Sequence, residues 1–221
     1  MAAAHSRNVG GAGVSIDMIS QSLSQLLSEA GLPNLGAADL AKFDTYLALL
    51  LRWNARTNLT AVRDADGILR RHFIESIACA WALPGGIQNL LDFGTGAGFP
   101  GIPIAICRPD IEVTLAESQH KKSAFLNDAI TTLGLQTKLF RGRAEEIGAT
   151  FDCVTLRAVD RMQRATTEAV SLLNPAGILA LLTTTVEFPT LEARIPGLVW
   201  KSAIRLPGSD QRVLRLGSRH E

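Results

Sequence analysis

In the first third of the chain, apolar positions recur with the period of a helix. Ile16, Ile19, Leu23, Leu26 and Leu27 precede Gly31; Leu40, Phe43, Leu47, Leu50 and Leu51 follow Gly36. Leu69, Phe73, Ile77 and Ala80 follow Asp64 and Asp66, either of which can cap a helix start. The spacing therefore predicts three amphipathic helices, the first over 15–31. Pro84-Gly85-Gly86 then marks a turn, and the rhythm changes to short apolar runs alternating with helical stretches. Strands are predicted at 89–93, 111–116, 137–140, 152–156, 177–183, 199–205 and 211–216, and helices at 100–107, 119–133, 161–173 and 186–195. Strand and helix in alternation require crossover connections. The last two strands, joined by Pro207-Gly208-Ser209-Asp210, have no room for a helix between them and should form an antiparallel hairpin at one edge. The expected fold is α/β: a doubly wound, mostly parallel seven-stranded sheet with an N-terminal helical extension.

With 221 residues the chain suits one main domain. We expect a disordered arm over 1–14, a helical extension over 15–84 and the sheet domain over 85–221, the last two forming one structural unit. The arm is small and glycine-rich, without the apolar segment of a secretory signal, and nowhere is there an apolar run of membrane-spanning length. Cys79, Cys107 and Cys153 lie far apart inside apolar segments, as reduced cysteines serving as small hydrophobes do. These features together point to a cytoplasmic protein, expected to be a monomer, with no metal-ligating pattern. The net charge of +1 announces no polyanion. Locally, however, Arg52, Arg56, Arg63, Arg70 and Arg71 crowd one stretch, and Lys201, Arg205, Arg212, Arg215 and Arg219 another. Charge pattern alone leaves solvated faces and an anion-binding surface equally open.

Candidate chemistry concentrates in LLDFGTGAGFPGIP, residues 90–103. In a doubly wound sheet the loop after the first strand approaches the ligand most closely. Glycines there allow positive φ and remove the Cβ atoms that would hold a ligand away. Two ligand classes fit. Gly96-x-Gly98-x-x-Gly101 satisfies a dinucleotide fingerprint, with Glu117 at the end of the next strand for ribose hydroxyls. Alternatively, Asp92-x-Gly94-x-Gly96-x-Gly98 puts a carboxylate before the glycines, favourable to a cationic ligand and repulsive to a pyrophosphate. That run resembles the first motif of S-adenosylmethionine-dependent methyltransferases, and Glu117 serves a ribose in either case.

Five separated stretches narrow the resemblance: RWNARTNLTAVRD (52–64), RHFIES (71–76), LLDFGTGAGFPGIPIAI (90–106), RGRAEEI (141–147) and FDCVTLRAV (151–159). Together they closely resemble the ribosomal RNA small-subunit methyltransferase G family, also called glucose-inhibited division protein B, from about Leu40 to Leu216. The resemblance implies a class I, Rossmann-like methyltransferase that uses S-adenosylmethionine to methylate N7 of a guanine in 16S ribosomal RNA, on the RNA or the small ribosomal subunit. It places cofactor contacts on Gly94, Phe99, Ala144, Glu145 and Arg157, beside Asp92, Gly96, Gly98 and Glu117. Arg63 and His72 are the candidate substrate contacts. His72 also suits a structural role, and Trp53, Asn54 and Asn58 read as packing and turn residues. One departure stands out: Glu75 occupies a position where relatives usually carry aspartate.

Methylation of N7 needs alignment but no general base, because that nitrogen carries a free lone pair. No catalytic acid or base is therefore assigned. Exocyclic amines are commonly served by an Asn/Asp-Pro-Pro-aromatic motif after the fourth strand, where this chain reads Leu156-Arg157-Ala158-Val159. Carbon-5 methylation needs a cysteine nucleophile, and none is predicted at the site. The competing readings are a nicotinamide-dependent oxidoreductase, a non-catalytic RNA-binding assembly protein, and a methyltransferase of small molecules or proteins.

Overall fold

A computed structural model describes residues 16–159 and 161–219, without the side chains of residues 16–20. The arm expected over 1–14 and the side chains of Ile16 and Ile19 lie outside the described residues. The front is helical: α1 spans Ile16–Glu29 and α2 spans Ala37–Thr57. Asp64 starts α3 (Ala65–Ile68) by accepting the Gly67 N–H at 2.7 Å, the capping expected of it. The chain continues through a π turn, Leu69–Phe73, into α4 (Ile74–Ala82). That turn has no sequence signature, and it carries His72.

Behind the front, β1 (Asn89–Phe93), β2 (Glu112–Ala116), β3 (Lys138–Phe140), β4 (Phe151–Arg157) and β5 (Leu173–Thr184) run parallel. Strand β8 (Arg212–Arg219) lies antiparallel to β5, with β6 (Leu198–Trp200) and β7 (Ile204–Arg205) along its other side. The order is β3-β2-β1-β4-β5-β8-β6, reversing between β1 and β4. Ligands of doubly wound folds bind at that reversal, outside the carboxyl ends of the strands. The crossovers carry α5 (Gly101–Cys107), α6 (His120–Leu133), α7 (Met162–Ser171) and α8 (Phe188–Glu192).

Three local expectations are corrected. The sheet has eight strands among the described residues, not seven, because the stretch predicted over 199–205 breaks into β6 and β7. Trp200 faces Gly217 while Ile204 faces Leu214, so the edge carries one residue more than β8 between these pairs, as a bulge requires. The helix predicted to 173 stops at Ser171, and Leu173 already opens β5. Only Phe188–Glu192 is helical within 186–195, since Pro189 suits only a first helical turn and Pro196-Gly197 follows directly.

Alternation along the strands divides the core. Leu90 packs with Phe43, Tyr46, Phe73, Leu115 and Phe125 in one cluster, and Leu91 with Val154, Leu156, Leu181 and Leu191 in the other. The helical front therefore forms part of one cover of the sheet. Phe73 sits where front and sheet meet, its ring centroid 5.1 Å from Phe43, 5.3 Å from Tyr46 and 5.9 Å from Phe99. The substitution Phe73→Ala should lower unfolding free energy by about 3–5 kcal/mol in urea titrations. A loss below about 1 kcal/mol would mean that the front is only loosely attached.

Candidate functional site

The glycine loop is held from beneath. The Asp92 carboxylate, wholly buried, accepts the Gly101 N–H at 2.8 Å and the Thr155 hydroxyl at 2.8 Å, and also the Thr95 hydroxyl. Burial raises its pKa to about 6 despite those donors. Asp92 therefore ties β1, β4, the loop and the start of α5 together. Among the loop's glycines, Gly96 has φ +62° and lines the cavity, and a Cβ there would meet only the Gly94 carbonyl oxygen, at 3.9 Å. Gly98, at φ +95°, is packed from the other side: a Cβ there would come within 2.7 Å of the Tyr46 hydroxyl and 2.6 Å of Ile102 Cδ1. The Tyr46 hydroxyl donates to the Ala97 carbonyl at 2.6 Å, so α2 braces the loop.

Above the loop opens a cavity of about 700 Å³. Glu117, at the carboxyl end of β2, forms one wall; its Oε2 accepts the Gly96 N–H at 3.1 Å and its Oε1 the Gln119 N–H at 2.7 Å. Each oxygen keeps a lone pair that a ribose diol can use. Ala144 and Glu145 enter from the 3₁₀ turn after β3. The opposite wall is Phe99, Arg157 and His72. The His72 ring stacks on Phe99 at 4.7 Å and its Nε2 shares a hydrogen bond with Thr60 at 2.8 Å. Thr60 is carried into place by Asn54, whose side chain bonds the Thr60 N–H at 3.0 Å and the Val62 carbonyl at 3.1 Å. Asn58 ends α2 in the left-handed region, at φ 47°. Asn54 and Asn58 thus fill the turn roles that the sequence assigned them, and Trp53 anchors α2 to α6 by donating to Asp128 at 2.8 Å.

Arg157 ends β4 and is nearly buried. Its Nη2 donates to Glu75 at 2.9 Å and to the Arg71 carbonyl at 2.5 Å, while its buried Nη1 has no partner. Desolvation lowers its pKa, and Arg71 and Arg212 lower it further, against the pull of Glu75. The longer glutamate at position 75 spans two elements, bonding Arg157 of β4 and the Nε of Arg212 on β8. Burial, and then Arg157, Arg71 and Arg212, depress the pKa of His72 to about 3, so its ring is neutral at physiological pH.

Of the residues expected at the site, Gly94, Gly96, Phe99, Glu117, Ala144, Glu145, Arg157 and His72 line the cavity. Three do not. Asp92 lies below the loop, so its charge is spent on donors of the scaffold rather than presented to a cation. Gly98 faces α2, and Arg63 is held outside by its 2.6 Å bond to Asn58. Sequence reasoning missed the contribution of Leu59, Thr60 and Ala61, which line the cavity. The signal is the run Asn58-Leu59-Thr60, which carries part of the family resemblance and of which the sequence assigns a role, in packing and turning, to Asn58 alone.

The cavity fits S-adenosylmethionine on three counts: a glycine cradle at Gly96, a lining carboxylate in Glu117 with lone pairs left for a ribose diol, and an unpartnered buried donor in Arg157 suited to a carboxylate. Against known proteins, the sequence model of the family described as rRNA small subunit methyltransferase G matches residues 39–194. The chain belongs to that family. It is 36% identical over 217 residues to the ribosomal RNA small subunit methyltransferase G of Streptococcus pyogenes serotype M49, covering 90% of each chain. It is 44% identical over 127 residues to that of a Roseiflexus species, covering 54% of each. In fold it is similar to a methyltransferase from Pyrococcus furiosus, with TM-score 0.61 and 18% identity over 82% of this chain and 98% of that one. It is also similar in fold to M. jannaschii TYW2 in complex with AdoMet, with TM-score 0.55 and 13% identity over 66% of this chain and 74% of that one. The sheet is thus similar in fold to those of methyltransferases, and membership of the rRNA small subunit methyltransferase G family sets aside the dinucleotide reading of Gly96-x-Gly98-x-x-Gly101.

The two shifted groups have opposite linkage. The folded-state pKa of His72 lies below its ordinary 6.5, so acidification from 6.5 towards 3 protonates the unfolded chain first and erodes stability. That of Asp92 lies above its ordinary 3.8, so between 6 and 3.8 the folded state takes the proton first and gains stability. NMR of the imidazole nitrogens should show His72 still neutral at pH 5. A midpoint near its ordinary 6.5 would contradict the environment described.

Proposed function

We propose that this chain methylates N7 of a guanine in 16S ribosomal RNA, with S-adenosylmethionine as donor. The observation that carries this reading is a cavity rich in orienting groups and poor in proton acceptors and nucleophiles. Its carboxylates among the described residues are engaged: Glu117 with two backbone amides, Glu145 with Arg143 at 3.5 Å, and Glu168 with Arg164 at 2.5 Å. His72, with a pKa near 3, is too weak a base at neutral pH. Cys79, Cys107 and Cys153 are buried away from the cavity; burial pushes the first two to about 12 and the third well above its ordinary value. Covalent activation of a pyrimidine ring has no thiolate to start it. Among the described residues, deprotonation of an amine has no free base.

When bound, S-adenosylmethionine supplies a methyl group on a sulfonium that leaves as a neutral thioether. Glu117 would hold its ribose, Ala144 and Glu145 its adenine edge, and the free Nη1 of Arg157 its carboxylate. Phe99 offers an apolar face, while Thr60 and His72 close the side left for the target base. The chain's task is to align a lone pair with the methyl group and exclude water, an effect worth roughly 7–11 kcal/mol at its limit. Among the described residues no helix is long and apolar enough to cross a membrane.

Small subunits from cells lacking the protein, incubated with methyl-labelled S-adenosylmethionine, should take up label on one 16S guanine that borohydride and aniline then cleave, a reaction specific for N7 methylation. Label resistant to that cleavage, or label on protein, would overturn the assignment.

A further inference from the structure

The mechanism uses Arg157 but leaves unexplained the charges gathered behind it. Arg71, Arg157 and Arg212 come from the π turn, β4 and β8 and act on one another across a single buried carboxylate, Glu75, which is 1% exposed. Three guanidiniums against one carboxylate leave an excess of two positive charges. Of the other groups facing the cluster, His72 is neutral, and the Asp92 carboxylate below the loop acts on Arg157 and offsets one charge, so an excess of one remains. The neighbouring Arg70 is matched by Asp66 at 2.9 Å, whereas Arg71 has no carboxylate partner among the described residues. Like charges held together around a desolvated centre are costly unless an anion completes the set.

The position of the cluster indicates which anion. Arg212 pairs in register with Thr184, the last residue of β5, so it stands at the carboxyl rim of the parallel strands, as Arg157 does. Arg157 lines the cavity, but Arg71 and Arg212 do not. Of these three arginines only Arg157 therefore serves a small ligand inside the cavity, while Arg71, which is exposed, and Arg212, whose side chain is 31% exposed, are left for what lies outside the mouth beside His72. Resting on the RNA-methyltransferase reading above, we propose that Arg71 and Arg212 form a seat for a backbone phosphate of the RNA strand next to the target nucleotide. Glu75 is the positioning residue that fixes Arg212 and Arg157 relative to each other, so the phosphate outside and the cofactor inside are registered through one carboxylate. A phosphate bound there would hold the strand while the base enters between Thr60, His72 and the glycine loop.

The test compares wild type, Arg71→Gln and Arg212→Lys for binding to unmodified small subunits between 50 and 200 mM salt, with S-adenosylmethionine affinity measured separately by calorimetry. Removing one phosphate contact should weaken subunit binding several-fold and reduce the log–log salt slope by about 1. Arg71→Gln should do both while its cofactor affinity stays unchanged. Arg212→Lys, which keeps the charge, should retain the slope. An unchanged slope for Arg71→Gln overturns the phosphate seat even if methylation proceeds, and so does a loss of cofactor affinity in that variant. Since binding is read without turnover, a wild-type protein that bound subunits but left N7 unmodified would sink only the reaction assigned above.

Discussion

The carboxylate of Asp92 meets three donors inside the sheet, and the geometry of the site descends from that meeting. A wholly buried carboxylate is expensive unless hydrogen bonds replace its water, and here Gly101, Thr95 and Thr155 do so from the start of α5, the loop and β4. The loop between β1 and α5 is thereby fixed at both ends. Tyr46 reaches in from α2 to hold its middle at Ala97, and Glu117 holds Gly96 from β2. With the backbone pinned by these partners, Gly96 can present bare main chain to a ligand without the loop having to order first, which reduces the entropic cost of binding.

A second charge arrangement completes the far wall. Arg157 is buried at the end of β4 and is kept there by Glu75, which also engages Arg212 on β8. Removing one partner of such a set leaves an uncompensated charge, so the wall behaves as a unit. The arrangement connects the helical front to both the parallel and the antiparallel parts of the sheet. It also explains why His72, stacked on Phe99 among three arginines, stays neutral and serves by shape and hydrogen bonding rather than by proton transfer.

Much of this was legible in the sequence because local rules and tertiary context agree. Helical period found α2 and α6, Asp64 announced its cap, and the glycines located the ligand loop at the switch between β1 and β4. The failures have physical causes. A carboxylate beside a glycine loop looks the same in one dimension whether it points up at a ligand or down at Gly101, so Asp92 was misread. Gly98 was counted as cradle because nothing in the sequence shows Tyr46 pressing on it from residues far upstream. The edge bulge and the π turn depend on pairing and packing rather than on residue type, so neither left a signal. Thr60 was passed over because a short turn reveals its chemistry only when the chain folds it against His72.

The central claim, that Asp92 sets the loop before any ligand arrives, is most directly tested by amide hydrogen exchange on the ligand-free protein. The Gly101 amide, together with those of Gly98 and Phe99 bonded to the Thr95 carbonyl, should exchange slowly, at rates close to those of β1, and lose that protection in Asp92→Ala. Rapid exchange at these amides in the wild-type protein, slowed only when S-adenosylmethionine is added, would contradict the account.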